Sequence, residues 1–100
     1  MGMEHLEAIN KLQQEAQALK AHGATSLYLY GSILRNEAGP GSDLDLFIDY
    51  DSRTKFSLLD LARLKNFLED KLGTKVDITT RDSLHPALRQ EIEHSAERIF

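Results

Sequence analysis

The sequence predicts a small α/β fold, more narrowly an α+β fold, in which a mixed sheet carries helices packed on one face. Amphipathic segments of helical period alternate with short apolar segments, in the order helix, strand, turn, strand, helix, strand, helix. A short link between the first two strands favours antiparallel neighbours. A full helix between the second and third strands is typical of a parallel, right-handed crossover. One hundred residues fit a single domain spanning residues 1–100.

The first helix is predicted over residues 4–22, where apolar side chains recur every three or four positions, and Gly23 ends it. Its apolar face consists of Leu6, Ile9, Leu12, Ala16 and Leu19. The first strand is predicted at 26–30, a short, uncharged segment with two tyrosines. A single helical turn at 33–35 and a loop around Gly39, Pro40 and Gly41 are expected next.

The second strand is predicted at 43–50 because its side chains alternate strictly. Leu44, Leu46 and Ile48 share one face, and Asp43, Asp45, Phe47 and Asp49 share the other. Ser57 then caps a helix that extends to Gly73, with an apolar side formed by Leu58, Leu61, Leu64, Leu68 and Leu72.

The third strand is predicted at 75–79, with Asp77 opposite the face of its two β-branched apolar residues. Pro86 suits the first turn of a last helix, whose apolar side is formed by Leu88, Ile92, Ala96 and Ile99.

Composition excludes several classes of function. A net charge of −4 disfavours tight, sequence-independent binding of nucleic acid, which needs a basic surface. Because the chain has no cysteine, a disulfide framework, a cysteine-ligated zinc and a thiol nucleophile are excluded. Neither a signal peptide nor an apolar segment of about 18 residues occurs, so we expect a cytoplasmic protein.

Three carboxylates are the strongest functional signal. Asp43 and Asp45 lie on one strand face, roughly 6.6 Å apart at about 3.3 Å per residue. The predicted parallel crossover brings Asp77 beside them. Such a cluster is costly without cations, and hard oxygen ligands favour Mg²⁺ or Mn²⁺. Two such ions can activate a hydroxyl and stabilise the leaving oxygen in nucleotidyl transfer.

Gly31 and Ser32 supply the complementary part of a phosphate site. Glycine lets a phosphate approach the backbone, and the following amides and the serine hydroxyl can donate hydrogen bonds to it. Arg35, one turn further on, can neutralise phosphate charge.

These residues resemble the signature of the DNA polymerase beta nucleotidyltransferase superfamily. Gly31-Ser32 is followed after ten residues by Asp43-Leu44-Asp45, and Asp77 stands on a later strand. In size and in this motif, nearly the whole chain is similar to the minimal nucleotidyltransferases (MNT type).

The resemblance implies roles by position. Gly31 and Ser32 would bind nucleotide phosphates, Asp43 and Asp45 would bind both metals, and Asp77 would complete the activating metal site. ATP would donate a nucleotidyl group. In paired systems the acceptor would be a tyrosine of a HEPN ribonuclease toxin, which makes the chain an antitoxin that AMPylates its partner.

Other interpretations stay open at this stage. Asp43 and Asp45 can be the solvent side of a strand, Asp77 an exposed carboxylate, Gly31-Ser32 a turn and Arg35 a solvated charge. Arg81 and Arg89 fit either a contact with phosphate or acceptor, or ordinary helix-surface charges. The alternative function is a non-catalytic antitoxin or nucleotide-binding subunit that acts by binding its partner. Homo-oligomerisation or hetero-oligomerisation is compatible with each function.

Overall fold

The computed structural model describes residues 5–31 and 44–100. Their elements, in chain order, are α1 (His5–Gln14), α2 (Ala16–Ala21), β1 (Ala24–Tyr30), β2 (Leu44–Tyr50), α3 (Leu58–Leu72), β3 (Val76–Thr80), a 3₁₀ turn (Arg81–Ser83), α4 (Pro86–Ser95) and β4 (Glu97–Arg98). The helical turn and loop predicted between β1 and β2 lie outside the described residues.

The four strands form one mixed sheet in the order β3-β2-β1-β4. β1 pairs antiparallel with β2 and with β4, and β2 pairs parallel with β3. The predicted directions of the first three strands are therefore confirmed. The crossover through α3 places β3 at the edge of the sheet, next to β2.

Alternating side chains give the sheet a core face, as the sequence predicts for β2. Leu44, Leu46 and Ile48 are at most 1% exposed. The buried cluster on this face also takes side chains from α1, α2 and α3, which are Ala8, Leu12, Leu19, Leu64, Leu68 and Leu72. Burial of this cluster stabilises the fold, and Asp45 and Asp77 lie on the opposite face of the sheet.

The boundaries of α3 follow from local hydrogen bonding, as predicted. Ser57 caps the helix: the side chain of Asp60 accepts from the Ser57 backbone N–H, and the Ser57 hydroxyl accepts from the Asp60 N–H. Gly73 ends it in the left-handed conformation, at φ +69°. Leu58 is 84% exposed, so its predicted place on the buried side is wrong. It is the first residue of the helix.

Two helix predictions need correction. The first helix is broken at Glu15, where the Glu15 N–H donates to the Leu12 carbonyl and closes a tighter turn. The break lets α2 lie against β1. Leu6, predicted on the apolar face, is 73% exposed.

The last helix ends at Ser95 rather than continuing to Ile99. Ile99 donates its N–H to the Leu27 carbonyl, and the Leu27 N–H donates to the Phe100 carbonyl. The helical spacing of Ala96 and Ile99 is overridden because the open edge of β1 offers these backbone groups sheet partners.

Candidate active site

Three side chains lie in one row across the sheet, on the face opposite the core. Asp45 on β2 is in register with Tyr30 on β1 and with Asp77 on β3. Residues in register on neighbouring strands are closest neighbours on one face. The adjacency of Asp45 and Asp77 expected from the crossover is therefore present in the structure.

Gly31 follows β1 directly and packs against Asp45. Its backbone has φ +88°, a left-handed conformation that glycine adopts without strain. A Cβ atom at this position would overlap the Asp45 carboxylate. The absence of a side chain at residue 31 thus permits both the turn of the chain and the position of the carboxylate.

The charge of this row affects Tyr30. Burial, and then the charges of Asp45 and Asp77, raise the pKa of the Tyr30 hydroxyl above its ordinary value. Asp45 is half-buried and Asp77 is exposed. Two carboxylates held side by side repel each other, which favours binding of a cation between or beside them.

The donor set suits a hard divalent cation. Mg²⁺ commonly binds through one or two carboxylates and completes its coordination with water and substrate phosphates. Asp45 and Asp77 supply two such carboxylates. Within residues 5–31 and 44–100, no group of three or more acidic, histidine or cysteine side chains forms a metal site. Asp43, the third predicted ligand, lies outside these residues, as do Ser32 and Arg35.

An aromatic layer, formed by Tyr28, Tyr30 and Phe47, covers the middle of the same face. The rings of Tyr28 and Phe47 stack with centroids 4.6 Å apart, and Tyr30 lies 5.8 Å from Phe47. Phe47 is fully buried although it points away from the main core.

Arg81, in the turn after β3, lies over this layer. Its guanidinium carbon is 4.8 Å from the centroid of the Tyr28 ring and 5.0 Å from that of Phe47. It donates two hydrogen bonds to the Asp49 carboxylate, at 2.8 and 2.9 Å, and one to Glu93 at 2.6 Å. The hydrogen bonds with Asp49 are the main cause that raises the pKa of Arg81, so its charge persists over the whole working pH range.

The structure gives both arginines acidic partners. Arg81 forms an ion pair with Asp49 on the neighbouring strand β2. Arg89 lies on the surface, half-exposed, with Nε 3.5 Å from the same Glu93 carboxylate. The pairing of Arg81 with Asp49 has a sequence signal: Asp49 and Arg81 are 32 positions apart, as are Asp45 and Asp77.

An open hollow of about 580 Å³ lies at the start of β3. It is lined by Lys65, Glu69, Gly73, Thr74 and Lys75. Glu69 accepts a hydrogen bond from the Val76 backbone N–H at 2.9 Å, which fixes the start of the strand that carries Asp77. Two of the residues that line this hollow are the lysines Lys65 and Lys75.

Comparison with known proteins identifies the family. The family model described as nucleotidyltransferase domain matches residues 8–99. The chain belongs to the nucleotidyltransferase family. A "Putative protein adenylyltransferase" of Methanocaldococcus jannaschii is 38% identical over 89 residues, 88% of this chain and 94% of that protein. "Protein adenylyltransferase MntA" of Thermococcus cleftensis is 29% identical and covers 92% of this chain and 93% of its own length.

Solved structures agree with this assignment. A structure described as a "putative minimal nucleotidyltransferase" has a TM-score of 0.78 and 38% identity, with 95% of each chain covered. A toxin–antitoxin structure with AMP-PNP has a TM-score of 0.74 at 19% identity, covering 92% of this chain and 72% of that one. A complex of tri-AMPylated Shewanella oneidensis HEPN toxin with its MNT antitoxin scores 0.62 at 17% identity, over 90% and 71% of the chains. The last two share the nucleotidyltransferase fold with this chain.

The resemblance to minimal nucleotidyltransferases is thus confirmed, and the chain is a nucleotidyltransferase. None of the described helices is long and apolar enough to cross a membrane.

Proposed function

We propose that this nucleotidyltransferase transfers AMP from ATP to a tyrosine hydroxyl of a HEPN-type ribonuclease toxin and so acts as its antitoxin in the cytoplasm. The observation that carries the proposal is the placement of Asp45 beside Asp77, with Gly31 packed against Asp45. The protein adenylyltransferase names of the relatives and the AMPylated toxin in one structural neighbour support the donor and the acceptor. The whole chain, residues 1–100, serves as one nucleotidyltransferase domain.

Asp45 and Asp77 are proposed to hold the divalent cations, Mg²⁺ or Mn²⁺, together with Asp43. When bound, two such cations neutralise phosphate charge and lower the pKa of an attacking hydroxyl. Gly31 and Ser32 hold the triphosphate, and Arg35 adds positive charge to it. In this assignment the left-handed φ of Gly31 is proposed to start the turn whose backbone amides bind the phosphates.

The transfer is a substitution at the α-phosphorus. The acceptor oxygen forms a bond to that phosphorus, and the bond from phosphorus to the bridging oxygen of the β-phosphate breaks. Pyrophosphate leaves with the electron pair, and the hydroxyl proton passes to solvent. The enzyme's contribution is positioning and electrostatic stabilisation of the charge that develops on the phosphoryl oxygens.

Intact-mass measurement of the partner tests the proposal. A HEPN-type partner is co-expressed with the wild-type protein, with Asp45→Asn, with Asp77→Asn, or with Asp70→Asn as a matched control. Asp70 is an exposed aspartate on α3, away from the row of carboxylates. We expect adenylyl increments on the partner with wild type and with Asp70→Asn, and at least about 100-fold slower transfer with the other two.

Two results would contradict the proposal. Unchanged transfer by Asp45→Asn and Asp77→Asn would exclude these carboxylates from the chemistry. A partner that binds every variant but is never modified would support the alternative, a non-catalytic antitoxin that acts by binding.

A further inference from the structure

The two strands that carry Asp45 and Asp77 are also joined at their opposite ends. The parallel register of β2 and β3 pairs Asp45 with Asp77 and Phe47 with Thr79, a constant offset of 32 residues. The Arg81 guanidinium reaches Asp49 at the same offset, just beyond the last pair of the ladder. Asp45 and Asp77 thus form a pair of like charges near one end of the two strands. Asp49 and Arg81 form an ion pair two positions beyond Phe47, toward the other end.

This ion pair is geometrically specific. A planar guanidinium that donates two parallel hydrogen bonds to one carboxylate fixes both distance and orientation. The side chains are partly buried, with Arg81 24% and Asp49 32% exposed, so solvent screens the pair less than a fully exposed one. A shift of β3 along β2 would break these bonds and displace Asp77 from Asp45.

The aromatic layer provides a second route from Arg81 to Asp45. Arg81 lies over Tyr28 and Phe47, and Phe47 contacts Tyr30, the register partner of Asp45. Since close-packed side chains transmit small displacements, loosening Arg81 would loosen the ring that flanks the carboxylate.

We propose that Arg81, through Asp49 and the aromatic layer, is the positioning residue that keeps Asp45 and Asp77 in register for nucleotidyl transfer. Arg81 is assigned a positioning role rather than a catalytic one because its guanidinium is bound to Asp49, which is four positions from Asp45, roughly 13 Å at about 3.3 Å per residue. In the absence of a cation, the Arg81–Asp49 ion pair holds the two strands in place against the repulsion between the Asp45 and Asp77 carboxylates. The proposal rests on the proposed transfer at Asp45 and Asp77.

A double-mutant cycle tests this role with Arg81→Gln, Asp49→Asn and the double variant. The matched control is Arg89→Gln, which removes the other arginine beside Glu93. Two readouts are measured at a temperature where circular dichroism shows every variant folded. The first is Mn²⁺ affinity in the presence of AMP-PNP, from the free Mn²⁺ signal in electron paramagnetic resonance. The second is kcat and KM for ATP in transfer to the partner.

We expect Arg81→Gln to weaken Mn²⁺ binding and lower kcat by about 10-fold or more, as for other residues that orient metal ligands. KM for ATP should change less than about threefold, and Arg89→Gln should match wild type. The double variant should be no worse than Arg81→Gln alone, because both substitutions disrupt one interaction.

The outcomes separate this proposal from the proposed function. If wild type binds Mn²⁺ and transfers AMP, and folded Arg81→Gln does both equally well with only a lower melting temperature, Arg81 is merely structural. Additive losses in the double variant would likewise overturn the joint role. If wild type itself neither binds Mn²⁺ nor transfers AMP, the proposed function fails first, and the positioning role falls with it.

Discussion

Gly31 contributes both to the fold and to the candidate site because it has no side chain. Its positive φ and its contact with the Asp45 carboxylate are separate requirements, since the first concerns backbone strain and the second concerns space. Gly73 has only the first requirement: its φ is +69°, and a Cβ there would meet nothing within 4 Å. Substitutions at the two glycines can therefore separate the requirement for a left-handed backbone from the requirement for space beside Asp45.

Gly31→Ala is expected to lower both stability and transfer, whereas Gly73→Ala should lower stability alone. A left-handed alanine costs about 1–2 kcal/mol at either position. At residue 31 the added methyl group must also displace the Asp45 carboxylate. Urea unfolding and the transfer assay, run on both variants, check this. Equal transfer by the two variants would show that the space beside Asp45 is not needed.

For single residues, the sequence indicates part of the candidate site. Spacing and alternation suffice to place Asp45 next to Asp77, because a parallel crossover leaves few registers that bury the apolar face. The same reasoning does not reveal that Phe47 is fully buried on the polar face. That burial depends on the aromatic layer and on Arg81, which comes from a turn more than thirty positions away in the chain.

At the scale of elements, α3 is the best specified by its own sequence. Its N-terminus has a capping box, and its C-terminus has a left-handed glycine. The backbone and hydroxyl hydrogen bonds from Ser57 lower the pKa of the Asp60 carboxyl. Stabilisation by the charged carboxylate is therefore present at neutral pH and is lost as the pH falls through the lowered folded-state pKa.

Asp60→Ala is accordingly expected to lower the free energy of unfolding at pH 7, with a difference from wild type that shrinks as the pH falls below about 4. Asp70→Ala, near the opposite end of α3, is the control, because a negative charge there opposes the helix dipole rather than complementing it. Urea unfolding of the three proteins across this pH range measures the effect. A difference that does not vary with pH would contradict the role of the ionised carboxylate.

The elements that the sequence does not predict are those whose structure depends on contacts with residues distant in the chain. The Gln13–Glu15 segment contains no helix breaker, yet the first helix turns at Glu15. Likewise, Ala96 and Ile99 continue a helical period, and only the free edge of β1 makes residues 97–98 a strand. Local propensity is a weak determinant wherever sheet pairing competes for the same backbone groups.

At the scale of the whole molecule, β4 links the last described residues to the centre of the fold. The strand pairs with β1, and the His5 ring on α1 hydrogen-bonds to the Glu97 carboxylate. Ile99, which follows β4, is 5% exposed and belongs to the main buried cluster. By contrast, none of the ten residues of α4, all of them described, is buried.

This contrast predicts where the C-terminal segment contributes stability. Ile99→Ala is expected to lower the free energy of unfolding by about 2–5 kcal/mol, as for other buried isoleucines. Leu88→Ala on α4, where the leucine is 50% exposed, should change it by about 0.5 kcal/mol or less. Because Ile99 supports β1, which carries Tyr30, its loss should also reduce transfer near the melting temperature but not well below it. Chemical denaturation measures the stability of both variants, and the transfer assay is run at two temperatures. Equal losses of stability in Ile99→Ala and Leu88→Ala would show that the segment after α4 contributes no more to the core than the exposed surface of α4.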